Sequence, residues 1–326
     1  MSISRFVVTG ATGWVGRSAL HELQRLLPPE EFQERVLAFA CTPRRIPSSA
    51  YPPPKEISIA VHALKSMPAM LKGCRNIALL HAAFLTKDRL DSIGIHTFIK
   101  TNQTITATVC AAIANLPRVR VIAISSGAAT QLDPHMDLEQ QLSSNPYGAL
   151  KRREELCLAE VATTQVLRLY ALTGRFIRDP QAFALGDFLL QAQRRQQIHL
   201  QSTADVIRGY GHAGDITRSA WKWLAGEETP GQAIPTVSQE ISLLQLSETI
   251  SDIYNLPPVA HKIDKSLPPS IYSAPGESFA NWMLKSAEVP LSLQEQIADT
   301  AYGMNLAKPP LILERTAKHS SRFRQR

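Results

Sequence analysis

Cysteine is scarce in this chain and is never arranged for metal or disulfide work. The four cysteines, Cys41, Cys74, Cys110 and Cys157, form no C-x-x-C pair and lie in apolar runs. They read as reduced, buried thiols of a cytosolic protein, and no metal site is expected. No stretch is long and apolar enough to span a bilayer. The opening residues, MSISRFVVTG, lack the basic segment and apolar run of a signal peptide and read as a strand that starts at once. Internal repeats are absent. The expected location is the cytoplasm, with no membrane partner.

What is present suits an α/β protein. The 326 residues are 44% apolar, enough for a sizeable core. The formal net charge is +7. Part of it comes from a C-terminal crowd of Arg315, Lys318, His319, Arg322, Arg324 and Arg326. Such a tail reads either as an arm for nucleic acid or anionic membrane, or as a frayed terminus. With Phe323 as its one aromatic residue it lacks stacking platforms, and the frayed terminus is preferred. The mild basic excess elsewhere suits anionic small molecules such as nucleotides.

Strand patterns at residues 3–9, 36–41, 56–61, 77–81, 119–125 and 165–169 alternate with helical ones. The longest helices are expected at 91–115 and 146–161. A helix after the first strand runs to Leu27, where Pro28 and Pro29 stop it, and residues 42–54 read as a loop. This rhythm indicates a doubly wound parallel sheet of Rossmann type. Beyond residue 170, helical patterns at 182–193, 215–224, 243–254 and 292–300 alternate with short strands. The expected organisation is a Rossmann domain over 1–170, a smaller mixed α/β lobe over 171–313 and a basic tail over 314–326.

The segment Thr9-Gly10-Ala11-Thr12-Gly13-Trp14-Val15-Gly16 follows the first strand and opens the first helix. A dinucleotide pyrophosphate needs residues without Cβ where the chain bends, and then the free amides of a helix N-terminus. The alternative is an ordinary strand–helix turn; position and spacing favour the phosphate cradle, with Gly10, Thr12, Gly13, Trp14, Val15 and Gly16 as its members. The acid that would grip the adenosine ribose hydroxyls of NAD is missing where the second strand ends, at Ala40-Cys41-Thr42. Arg44 and Arg45 follow instead. Guanidinium groups pair with a 2′-phosphate, which favours NADP over NAD, the alternative being a solvated basic loop.

Tyr147 and Lys151 share a helix face in Pro146-Tyr-Gly-Ala-Leu-Lys. An ammonium beside a phenol lowers its pKa and prepares it for acid–base work. The pair alone also arises by chance on any helix. Ser125 and Ser126 end the fifth strand at the carboxyl edge, where open α/β sheets bind ligands. Ser126 is placed to hold a substrate oxygen beside Tyr147; Ser125 reads as a strand-end hydroxyl that caps backbone.

With these residues together, the chain resembles the extended short-chain dehydrogenase/reductase family, the epimerases, dehydratases and reductases of nucleotide-sugars, over about residues 3–255. The resemblance implies that His81-Ala82-Ala83 lie beside the cofactor, that Asn102 joins Ser126, Tyr147 and Lys151 in the catalytic set, and that Lys151 also binds the nicotinamide ribose. In Arg208-Gly-Tyr-Gly-His212-Ala-Gly-Asp215 it implies a diphosphate ligand at Arg208, for which a surface ion pair is the alternative. His212 and Asp215 read as structural.

The departures bear on the substrate. The family's Asp after the third strand is replaced by Val61-His62-Ala63. Its Val-Tyr-Gly after the serines and its Asn after the sixth strand are absent. The 4,6-dehydratases of that family carry an Asp-Glu pair where Gly127-Ala128 stand here, so dehydration is disfavoured. A reductase or an epimerase of a nucleotide-sugar is the expectation, with a reductase of a non-nucleotide carbonyl or a non-catalytic NAD(P)-binding sensor as alternatives. The resemblance also implies a homodimer. No nucleic-acid partner is expected.

Overall fold

The computed structural model describes residues 3–47, 58–264 and 266–306; the basic tail and the later part of the Pro-rich loop lie outside them. Two compact units emerge. The first is drawn from Met1–Leu169, Gly214–Thr236 and Glu277–Glu288, the second from Tyr170–Ala213, Val237–Gly276 and Val289–Arg326. The chain first leaves the first unit after Leu169 and then returns to it twice.

In chain order, the first unit opens with β1 (Arg5–Thr9), α1 (Trp14–Leu26), α2 (Pro29–Arg35), β2 (Val36–Ala40), β3 (Arg44–Pro47) and β4 (Ser58–Ala63). It continues through α3 (Met67–Leu71), β5 (Ile77–His81), α4 (Leu90–Ile93), α5 (Ile95–Ile113), β6 (Val119–Ser126), α6 (Leu138–Ser144), α7 (Pro146–Val161) and β7 (Thr163–Leu169). The second unit adds β8 (Ala171–Thr173), α8 (Ala184–Gln193) and β9 (Val206–His212). After α9 (Ala213–Ala225) and β10 (Ile234–Pro235) come β11 (Gln239–Ser242), α10 (Leu243–Tyr254), β12 (Ser270–Tyr272), α11 (Glu277–Lys285) and α12 (Leu293–Gly303). Of these, β10, α11 and all of α9 but its first residue belong to the first unit.

Eight strands of the first unit form one sheet in the order β10–β7–β6–β5–β1–β2–β4–β3. Every neighbour runs parallel except β3, which lies antiparallel on β4. Strand order reverses beside β1, the arrangement of a doubly wound Rossmann sheet. Such strands are covered on both faces and must be apolar on both. Accordingly Val7, Val8, Leu79, Leu80, Val121 and Ile122 are all fully buried. One face packs on Met67, Leu71, Val109, Ile113 and Leu158. On β1, Phe6 meets Trp221 of α9 edge to face at 5.9 Å.

Several local expectations change. Helix α1 ends at Leu26, just before Pro28 and Pro29 as expected, but Pro29 then begins an unexpected α2, at the first helical position, where its missing N–H costs nothing. The loop expected at 42–54 contains β3, an exposed edge strand. The helix expected over 91–115 breaks at Gly94, whose φ of +77° separates α4 from α5. The thiols are less buried than expected: Cys41 is exposed and the other three are half-buried.

In the second unit β9 is central, paired with β8, β11 and β12. Its core joins Leu185, Phe188, Tyr210, Leu246, Ile250 and Ile297. His212 is structural, as expected: its Nε2 lies 3.0 Å from Asp299 Oδ2, and Arg175 holds the same carboxylate. Asp215 sits inside the first turn of α9 and pairs with Arg218 at 2.7 Å.

Candidate active site

The glycine-rich segment folds as a phosphate cradle requires. Gly10 has a φ of +68°, and a Cβ there would stand 2.4 Å from the Ala82 carbonyl oxygen. A Cβ on Gly16 would stand 2.1 Å from the Gly10 oxygen. Gly13 caps α1 in an extended conformation, with no side-chain cap and no acid in the first turn. The positive end of α1 is thus left to an anion, and the turn fits the pyrophosphate of a dinucleotide.

On the adenosine side the sheet edge refines the expectation. Successive side chains of a strand point to opposite faces, so Arg44 and Arg45 leave β3 on opposite sides. Arg45 donates from Nε to Ser58 Oγ at 2.8 Å, which leaves Arg44 as the candidate on the other face.

Ser126 ends β6, and a short turn over Gly127–Thr130 follows it. Its hydroxyl accepts from the Ala128 amide at 3.2 Å and hydrogen-bonds the Tyr147 phenol. Helix α7 starts where Asn145 accepts from the Gly148 amide at 3.0 Å and Pro146 sets the first turn. Gly148 admits that turn to the serine edge: a Cβ there would meet the Ala128 oxygen at 2.4 Å. The sequence reading overlooked this glycine, whose signal was its place directly after the tyrosine. Ser125 does not cap backbone; it donates to Glu155 Oε1 at 2.6 Å. Glu155 also receives a two-pronged bond from Arg168, at 2.8 and 2.7 Å, and one from Arg152.

Lys151 departs most from expectation. Its Nζ donates to the Ile124 carbonyl oxygen and to Glu154 Oε2, both at 2.8 Å. The ammonium also lies 3.8 Å from the centroid of the Phe84 ring, and Tyr147 meets that same ring edge-on at 5.7 Å. In this structure the ammonium is thus held by a carboxylate and a carbonyl. Burial pushes the Tyr147 phenol up to about 12, against the hydrogen bond from Ser126, and Glu154 and Asp88 add to the rise.

Two further residues take different places from those the resemblance implied. His81 is fully buried and turns both ring nitrogens inward, Nδ1 to Thr9 Oγ1 at 2.6 Å and Nε2 to Glu154 Oε1 at 2.9 Å. Its imidazole faces protein on both sides. Asn102 accepts from the Leu85 amide at 2.8 Å and donates to the Leu85 oxygen at 3.3 Å. It staples the loop that carries Phe84, which makes it a positioning residue. Ala82 and Ala83 both donate their amides to Thr9 Oγ1, at 3.2 and 3.3 Å. Arg208 lies in the second unit on β9, where its Nη1 donates to the Ser270 carbonyl oxygen at 2.7 Å.

Comparison with known proteins agrees with this architecture. The family described as the NAD dependent epimerase/dehydratase family matches residues 6–234. No curated protein matches the chain. Among solved structures, it is similar to a UDP-glucose 4-epimerase from Thermotoga maritima with UDP-glucose. The identity is 17%, the TM-score 0.65, and the match covers 92% of this chain and 98% of that one. A UDP-N-acetylglucosamine 4-epimerase from Methanobrevibacter ruminantium M1, in complex with UDP-N-acetylmuramic acid, matches at 17% identity with a TM-score of 0.66, over 94% of this chain and 99% of that one. A dTDP-glucose 4,6-dehydratase from Streptomyces venezuelae with NAD bound matches at 17% identity with a TM-score of 0.63, over 92% and 97%. At these identities the likeness is one of fold.

Proposed function

Because this chain belongs to the NAD dependent epimerase/dehydratase family, we propose that it is a nicotinamide-dependent oxidoreductase of a nucleotide-sugar, and within that class a keto-sugar reductase. The observation that carries the reading is the placement of Tyr147 against Ser126 at the carboxyl edge of β6, hydrogen-bonded side chain to side chain. The turn over Gly127–Thr130 has no acid in it, which leaves nothing there to move protons in a dehydration.

A dinucleotide, when bound, supplies the hydride. The segment Gly10, Thr12, Gly13, Trp14, Val15 and Gly16 would hold its pyrophosphate. Arg44 would meet a 2′-phosphate, which is the basis for proposing NADPH. Tyr147 gives its proton to the substrate's carbonyl oxygen, while Ser126 holds that oxygen by a hydrogen bond. Arg208 joins the proposal as diphosphate ligand by resemblance to the family, as does the homodimer. An epimerase would need Tyr147 also as a base in the first half of its cycle; the missing acid at the end of β2 and the basic Arg44 and Arg45 favour the single reductive step instead.

A thermal-shift screen of the purified protein against NADH, NADPH and keto-sugar nucleotides tests this reading, since ligands of the folded state raise its apparent stability. The expected result is a shift with NADPH larger than with NADH, then oxidation of NADPH on adding the right sugar. Absence of any dinucleotide shift would refute the reading. Dinucleotide binding with no turnover across the panel would replace the reductase by a sensor.

A further inference from the structure

Phe84 has no part in the chemistry above, yet its ring touches both Tyr147 and Lys151. It follows His81-Ala82-Ala83 at the carboxyl edge of β5 and is half-buried. The backbone is pinned on both sides of it. Thr9 Oγ1 accepts the Ala82 and Ala83 amides that precede it, and Asn102 bonds both the amide and the oxygen of Leu85 that follows. The main chain is therefore fixed, and the ring can move only by turning about its own side-chain torsions.

Donor accounting at Lys151 gives the ring its meaning. An ammonium has three N–H donors and no acceptor. One donates to the Ile124 carbonyl oxygen and one to Glu154 Oε2, each at 2.8 Å. The third has the face of Phe84, with Nζ 3.8 Å from the ring centroid, well inside the range of a cation–π contact. All three donors are thus engaged. Ile124 and Glu154 are buried, and of the three holders Phe84 alone is partly exposed. The side from which a ligand reaches this ammonium is therefore the ring's.

We propose that Phe84 competes with the nicotinamide ribose for the third donor of Lys151, so that its ring sets how tightly the nicotinamide half of a dinucleotide is held. The inference rests on the dinucleotide reading above and on the ribose-binding role that the family resemblance gives Lys151. An aromatic face and a ribose hydroxyl cannot share one N–H. Binding the nicotinamide half requires the ring to turn away, and the lost cation–π contact is subtracted from the affinity. The adenosine half, which falls to the glycine turn and Arg44, is bound without that cost.

Calorimetry with two ligands tests this, with quenching of tryptophan fluorescence by NADPH as a check. NADPH carries the nicotinamide ribose; 2′,5′-ADP ends at the adenosine half. NADH and ADP form a second pair of the same design. Phe84→Ala frees the third donor. It should bind the dinucleotide about twofold to thirtyfold tighter than the wild type, the range that one cation–π contact spans, and leave the adenosine fragment within about 1.5-fold. Phe84→Leu keeps apolar bulk beside Tyr147 but offers the ammonium no aromatic face. It should tighten the dinucleotide as well, and it decides the matter if the alanine variant fails to fold. Weaker or unchanged dinucleotide binding in a folded variant overturns the proposal, since the ring would then be a wall of the site and not a competitor. Equal tightening of dinucleotide and fragment overturns it too, because the gain would not come from Lys151. Either failure leaves the dinucleotide reading standing. If the wild type and both variants bind none of the four ligands, the dinucleotide reading itself falls, and the competition falls with it.

Discussion

Replacing Gly10 by alanine should damage the protein in two separable ways. The backbone φ of +68° is strained for any residue with a Cβ, at about 1–2 kcal/mol. The new methyl would also stand 2.4 Å from the Ala82 oxygen, 2.5 Å from its carbonyl carbon and 2.8 Å from the Ala83 nitrogen, about 1 Å short of the 3.4 Å at which ordinary contact begins. All three are main-chain atoms and cannot swing aside. The loop must move, and it carries the two amides that bond Thr9. Forcing a methyl into such a place costs about 1–3 kcal/mol. The expected loss is therefore about 2–5 kcal/mol in total, a large share of the roughly 5–15 kcal/mol that holds a typical protein folded. Gly73 is the control. Its φ is +79°, yet a Cβ there meets nothing within 4 Å, so Gly73→Ala should show the backbone part alone. Both gain alike from a stiffer unfolded chain, which cancels in the comparison. Urea unfolding followed by circular dichroism measures the two. If Gly10→Ala costs no more than Gly73→Ala, within about 0.5 kcal/mol, the packing argument for this turn is wrong.

Three other expectations follow from the site. Tyr147→Phe should lower kcat by about a hundredfold to ten-thousandfold, the usual loss of a positioned acid, and leave NADPH quenching within about twofold; unchanged turnover would make the tyrosine a helix-face aromatic and nothing more. Arg44→Ala should weaken NADPH more than NADH in calorimetry, and Arg45→Ala much less, since Arg45 is turned to Ser58; equal effects of the two would remove the strand-face argument. The third concerns acid. Burial pushes the Glu155 carboxyl up, but Arg168, Ser125 and Arg152 overcome this and hold it below its ordinary value of 4.5. A lowered folded-state value gives stability that is present above the unfolded value and lost as pH falls through the folded one. Glu155→Gln should cost about 2–4 kcal/mol near neutrality, somewhat under a fully buried pair because its arginines stay partly solvated. That cost should shrink as pH drops below about 4, which denaturant melts at a series of pH values can follow; a constant cost at every pH would show that packing, and not charge, is what was lost.

Much of this fold was legible because local signals agreed with the tertiary ones. Asn145 and Pro146 announce α7, and the observed helix runs over the expected residues. Helix α10 begins where Ser242 and Gln245 cap each other reciprocally, and it too runs as expected. The misreadings have a common physical source: polar segments whose structure depends on what lies beside them. Strand β3 is short, basic and ends on a proline, and only pairing with β4 makes it a strand. Pro28 and Pro29 stop α1 as expected, but Pro29 also opens α2, which nothing local announces. In the site, residue types were readable and their partners were not. Lys151 invites the reading of a free ammonium, and an acid three residues later on a helix ordinarily reads as a solvated surface pair. Only the register of β1 against β5 brings Thr9 and His81 to Glu154 and shows the acid to be enclosed.

The return of the chain to its first unit has a consequence for how the protein is made. Trp221 donates its indole N–H to the Ala19 oxygen at 2.9 Å, across 202 residues, and it covers Phe6 of the first strand. Arg218, beside it, binds Glu22, Asp215 and Glu288 at once. Strand β1 is thus sealed by residues of α9, translated long after it. Until α9 emerges, the nascent Rossmann unit has an open apolar flank at Phe6. Contacts of such span are slow to form, and a half-made chain with an exposed flank is a natural client for chaperones. Completion of this unit therefore waits for α9 and α11, although all but one strand of its sheet is made before residue 170.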